Sequence, residues 1–167
     1  MKTSLKSKGI VALLLVFALS ELAHSHEKHS TVKPKSSPAS GDSERAHRLS
    51  LVNEEYRRNV KSIFQKSCFD CHSQQTHYPW YYKIPGARGL IDSDIAEAKK
   101  HIDLTNDFPF KGHGSPEEDL EAIRETMDED TMPPVRYKIL HPSAKLSKAE
   151  QEIILQWVSK SLEELSK

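Results

Sequence analysis

The sequence predicts an all-α fold, and three observations predict it. Apolar residues recur at three- and four-residue steps in three long stretches. Two of those stretches open on a serine followed three residues later by glutamate, the signature of a helix start. No stretch alternates apolar and polar residues as a half-buried strand would.

The first helix is expected over residues 43–66, which contain neither Gly nor Pro. Leu49, Val52, Tyr56, Val60, Ile63 and Phe64 form its apolar stripe, and it runs directly into Cys68. Residues 73–110 are less regular. Tyr78-Pro79-Trp80-Tyr81-Tyr82 and Ile84-Pro85-Gly86 read as aromatic turns, with a short helix over about residues 93–101. The second clear helix starts at Ser115, with Pro116 in the first turn and Glu118 closing a capping box. Leu120, Ile123 and Met127 make its apolar face, and Pro133-Pro134 lies beyond its end. The third starts at Ser147, boxed by Glu150. It carries Ile153, Ile154, Trp157, Val158, Leu162 and Leu165. The first and last helices are expected to pack across each other, with Phe64 and Trp157 near the contact.

The N-terminus has the form of an export signal. Lys2, Lys6 and Lys8 precede an apolar run over residues 9–19, and Ala23-His24-Ser25 offers small residues at the two positions a signal peptidase reads. The alternative is an uncleaved anchor, for which the run is short. The expected organisation is a signal peptide over residues 1–25, a disordered Ser-, Lys-, Pro- and His-rich linker over 26–42, and one domain over 43–167. His24, His26 and His29 lie around the cleavage point; they offer weak metal binding, but the composition favours a solvated tail. Cleavage after Ser25 leaves 142 residues (167 − 25). Removing three lysines and Glu21 takes the net charge from 0 to −2. Such a balance gives no reason to expect nucleic acid or an anionic membrane surface as the main partner. The expected location is the periplasm or another exported compartment, with no stable membrane span after cleavage.

The chain holds only two cysteines, in the segment Cys68-Phe69-Asp70-Cys71-His72. Two cysteines three positions apart and followed at once by histidine match covalent haem attachment. Two thioether bonds fix the porphyrin edge, and the histidine reaches the iron from one face. Three other uses of the pair compete. A thioredoxin-like redox pair needs a βαβ setting, which the pattern lacks. A zinc site needs two further ligands at defined spacing, and there is no second cysteine pair. A structural disulfide across so small a loop adds little stability. The expected cofactor is therefore one covalent haem c.

A second axial ligand comes from Met132 or Met127. Met132 sits in Asp130-Thr131-Met132-Pro133-Pro134, 60 residues beyond His72 (132 − 72), where an extended backbone lets a thioether turn toward iron. Met127 falls on a helix face and reads as core. His77, His101, His113 and His141 compete as ligands. His72 is expected to be oriented through its other ring nitrogen by a backbone carbonyl, with Pro79 or Pro85 as the suggested holders. Trp80, Tyr81 and Tyr137 are candidates to pack on the haem, and Lys83 and Arg88 to face its propionates.

These residues resemble a known family. Cys68-Phe69-Asp70-Cys71-His72-Ser73, Thr76, Tyr78-Pro79-Trp80-Tyr81 and Ile84-Pro85 are similar to the exported haem-binding domain family of cytochrome c-like proteins. Met132-Pro133-Pro134, Tyr137, Leu140-His141-Pro142, Leu146-Ser147, Glu150 and Trp157 agree with its closing pattern. The resemblance spans roughly residues 60–160, with a looser match at residues 89–92 and 106–108. It implies a cytochrome c-like fold of three main helices and long loops around one haem. Cys68 and Cys71 are then the attachment points, His72 the proximal ligand and Met132 the distal one.

The function these readings point to is single-electron transfer between transiently bound redox proteins, by an iron with both axial positions filled. The alternative is a haem sensor or a peroxide-reactive haem protein with an open or labile distal site, in which His77 or His113 serves as an acid or base.

Overall fold

The structure is a computed structural model that describes residues 38–167. The export segment, its anchor alternative and most of the linker lie outside the described residues, as do the tail histidines. Helix α1 (Pro38–Glu55) begins five residues before the expected boundary at 43, so residues 38–42, read as linker, are helical. Proline at a first helical position costs nothing, because that N–H has no intrahelical partner. α1 passes through a widened π turn (Tyr56–Val60) into α2 (Lys61–Ser67), and a one-turn helix α3 (Phe69–His72) follows at once. The expected stripe survives the π turn. Val52, Tyr56, Val60, Ile63 and Phe64 are all buried.

Helix α4 (Pro85–His101) is longer than the short helix expected over 93–101. Ile84-Pro85-Gly86 reads as a turn, yet Pro85 takes a first-turn position and the helix runs on through Gly86. A two-residue antiparallel ladder pairs β1 (Ile102–Asp103) with β2 (Lys111–Gly112). The loop between them delivers Leu104, Phe108 and Phe110 to the core. Helices α5 (Pro116–Asp128), α6 (Val135–Leu140) and α7 (Lys148–Leu165) complete the chain. The fold is all-α: 72 % helical against 3 % strand. Among the described residues no helix is long and apolar enough to cross a membrane.

The core is aromatic. Phe64 meets Trp157 edge-on with ring centroids 6.2 Å apart, as expected for the first and last helices. Tyr56 and Phe108 also stand within 6 Å of the Trp157 ring, and the indole N–H donates to the Val52 carbonyl at 3.3 Å. Met127 is buried in this core, as its helix face predicts. Two ion pairs fasten the outer elements. Arg45 grips Glu117 through both guanidinium nitrogens, at 2.9 and 3.1 Å, joining α1 to α5. Lys61 holds Asp107 at 2.7 Å and fixes the aromatic loop against α2.

Both predicted capping boxes are present. At α7, Ser147 Oγ accepts from the Glu150 N–H at 3.3 Å, and Glu150 Oε2 accepts from the Ser147 N–H at 2.8 Å. Ser147→Ala removes half of that reciprocal pair. It is expected to cost about 1 kcal/mol in urea unfolding of the full protein.

Asp119, in the first part of α5, is 4 % exposed and its Oδ2 has no hydrogen-bond partner. Burial pushes its carboxyl up to about 6, against the opposing pull of His113. An unfolded carboxyl titrates near about 4, so the folded state holds this proton more tightly. The contribution therefore favours the fold at low pH and is lost as pH rises from about 4 through 6. Asp119→Asn is expected to gain about 2 kcal/mol above pH 6 and nothing below pH 4, read from unfolding midpoints across that range.

Candidate functional site

Helix α2 ends where the Cys68 N–H donates to the Phe64 carbonyl at 2.7 Å. The Cys68 carbonyl then accepts from the N–H groups of both Cys71 (3.2 Å) and His72 (3.0 Å). One turn of backbone thus carries both thiols and the imidazole. Phe69, inside that turn, is buried and anchors it to the core. Ser73 closes it, its hydroxyl donating to the Phe69 carbonyl at 2.9 Å.

The thiols are free and half-buried. Burial pushes the Cys68 thiol up to about 12. The Cys71 thiol is also raised, by burial first and then by Asp70 and Asp94. A thiol-redox centre depends on a lowered pKa and ready thiolate. This environment opposes that use of the pair.

His72 is held from two sides by the chain after α4. Its ring Nδ1 lies 3.0 Å from the Ile102 carbonyl, and its own carbonyl accepts from the Leu104 N–H at 2.7 Å. A carbonyl can only accept, so Nδ1 carries the proton and Nε2 presents its lone pair. Burial lowers the imidazole's pKa, which favours this neutral, ligating form. A backbone carbonyl does orient the ring, as the sequence led us to expect, but it belongs to Ile102 and not to Pro79 or Pro85. No side-chain pattern marks a carbonyl, and only the return of the chain at β1 places it there.

Around this turn the chain leaves apolar side chains uncovered. The core draws on residues 52–69, 104–127 and 144–165. The 3-10 turn at Trp80–Lys83, α4 and α6 contain no buried residue. Tyr78, Trp80, Ile84 and Leu90 are exposed, and so are Met132, Val135, Ile139 and Leu140. These elements nonetheless converge on the cysteine turn. Tyr137 donates to Asp70 Oδ2 at 2.6 Å, bringing α6 to α3. Arg136 pairs with Asp94 at 2.8 Å, bringing α6 to α4. Two apolar but uncovered walls beside a pair of thiols and an oriented imidazole fit a flat, apolar, iron-bearing ligand such as haem. Ser67, just before Cys68, is also buried with its hydroxyl unpaired, a donor left for a bound group.

Met132 lies in the loop between α5 and α6 and is 36 % exposed, unlike Met127. Each of the competing histidines has a side-chain neighbour of its own. His77 faces solvent, with Nδ1 at 3.2 Å from Asp70. His101 and His113 face each other at 3.2 Å. His141 stacks on Tyr137 with centroids 4.1 Å apart and meets the Tyr81 hydroxyl at 3.4 Å. Tyr137 and Tyr81 therefore hold α6 and its neighbours near the turn. Arg88 lies over the Tyr82 ring and pairs with Asp92.

Comparison with known proteins agrees with this geometry. The model of the haem-binding domain family matches residues 23–160, and the chain belongs to that family. It is 37 % identical over 103 residues to the cytochrome c peroxidase Ccp of Escherichia coli (strain K12), a match covering 58 % of this chain and 21 % of that protein. The chain thus corresponds to about one fifth of that relative's length. No solved structure matches it significantly.

Proposed function

We propose that this member of the haem-binding domain family carries one covalent haem c and passes single electrons between redox proteins of an exported compartment. Haem, when bound, supplies an iron that changes oxidation state by one electron. The chain's residues do the rest. Cys68 and Cys71 hold the porphyrin through thioethers. His72 offers Nε2 to the iron, and the Ile102 carbonyl fixes which nitrogen that is and how the ring is turned. Met132 would supply a second, sulfur ligand, carried by a loop next to α6, which Tyr137 and Arg136 tether to α3 and α4. The uncovered apolar side chains of α4 and α6 exclude water from the haem face.

The single observation that carries this reading is the His72 imidazole, half-buried, favoured in its neutral form and aimed by Ile102 within one turn of two free thiols. The match to one fifth of the length of a cytochrome c peroxidase supports a haem-based redox role. That relative's name also supports a second reading, direct reaction with peroxide at an open distal position. Absorption spectra of the haem-loaded protein, oxidised, reduced and after carbon monoxide, separate the two. The electron-carrier reading expects a six-coordinate low-spin haem that does not take up carbon monoxide. A high-spin ferric spectrum, or rapid carbon monoxide binding, would overturn it in favour of the peroxide-reactive reading.

A further inference from the structure

We infer that His101 and His113 form a second metal site, a two-imidazole site for a borderline divalent cation such as zinc, at the end of the β1–β2 ladder. The inference does not rest on the haem reading. The register of the ladder makes the two residues partners. Ile102 faces Gly112 and Asp103 faces Lys111, so His101 and His113 occupy the next rung. Their rings meet edge to face, with Nε2 of His113 3.2 Å from Nδ1 of His101. Two imidazole nitrogens at that distance cannot both present lone pairs to each other. Either a proton or a cation lies between them.

The distance suits the cation. Two nitrogens each about 2.0–2.1 Å from one tetrahedral zinc stand about 3.3–3.4 Å apart. Imidazole is a ligand type that zinc, copper and nickel share. A second observation points the same way. The other ring nitrogen of His101, Nε2, lies 3.3 Å from Glu97 Oε1, one helical turn back on α4. A carboxylate on the far nitrogen of a ligating histidine fixes its tautomer and raises its basicity. The arrangement Glu97, His101, cation is that pattern.

The backbone is shaped for the pair. Gly112 has φ of +144°, and a Cβ there would stand 2.5 Å from the His101 carbonyl oxygen. Only glycine, on the neighbouring rung opposite Ile102, lets the chain pass this close to the His101 carbonyl. Among the described residues no group of three potential ligand side chains gathers. Water therefore completes the coordination, and the side chain of His101 is open enough to solvent, at 63 %, to admit it.

The test is calorimetric titration of zinc chloride into the full haem-loaded chain. Wild type is compared with His101→Gln, His113→Gln and Glu97→Gln, and with a His26→Gln/His29→Gln control for the tail. The expected result is one saturable zinc per chain at micromolar concentration. Either His101→Gln or His113→Gln weakens it more than about tenfold, Glu97→Gln weakens it by about tenfold, and the tail variant leaves it unchanged. Circular dichroism and the haem spectrum of each variant confirm that it is folded. No saturable site in wild type, binding unchanged in both His101→Gln and His113→Gln, or binding lost with the tail histidines overturns the proposal.

Discussion

Replacing Cys68 and Cys71 together by alanine is expected to abolish covalent haem. The chain's mass should fall by one haem, and no haem stain should follow the polypeptide under denaturing conditions. The expectation is all-or-none because these are the only cysteines in the sequence. Their setting also makes attachment the use that survives elimination. They are free, both are held as thiols by burial, and α3 places them in one turn with His72. Each single variant should retain haem through one bond, with a shifted reduced spectrum. Haem that still follows the polypeptide in the double variant would show that the attachment lies elsewhere.

Met132→Ala is expected to remove the sulfur-to-iron charge-transfer band of the ferric protein and to lower the midpoint potential by more than about 100 mV, since thioether ligation favours ferrous iron. The position explains the size of the effect. Met132 lies five residues before Tyr137, whose hydroxyl is bonded to Asp70 inside the cysteine turn. Its loop is thus tied to the haem-bearing segment through α6. The control is Met127→Leu. Met127 is 7 % exposed in the core, and a volume-conserving replacement there should leave band and potential alone. A wild-type sulfur band that persists in Met132→Ala would remove Met132 from the ligand set.

The parts of this fold that the sequence disclosed are those with local causes. Capping boxes at Ser115 and Ser147 and the stripe from Val52 to Phe64 depend on residues a few positions apart, and they appear where expected. The turn that carries Cys68, Cys71 and His72 was equally local: three residues within five consecutive positions, directly after the first helix as expected. What escaped was written in the backbone or across long separations. Ile102 serves His72 through a carbonyl that every residue possesses, 30 positions away. Pro85 and Gly86 read as part of a turn and instead begin α4, where tertiary packing on α3 overrides weak propensity. α6, six residues long, has too few turns for a periodic signal. The pairing of His101 with His113 needs the ladder register, which two short strands do not announce.

The distribution of burial has a consequence for how this protein comes apart. α1, α2, α5 and α7 share one aromatic core and should unfold as a single cooperative unit. α4 and α6 bury no residue in it; α4 packs on α3, and polar links such as Tyr137 to Asp70 and Arg136 to Asp94 tie α6 to α3 and α4. If they cover the haem as proposed, the cofactor sets their free energy of opening. With haem in place they join the global transition; without it they become a separate foldon that exchanges its amides first, while the helical frame still stands. The polypeptide thus supplies a finished scaffold and an unfinished wall, and the cofactor itself makes the two into one cooperative body.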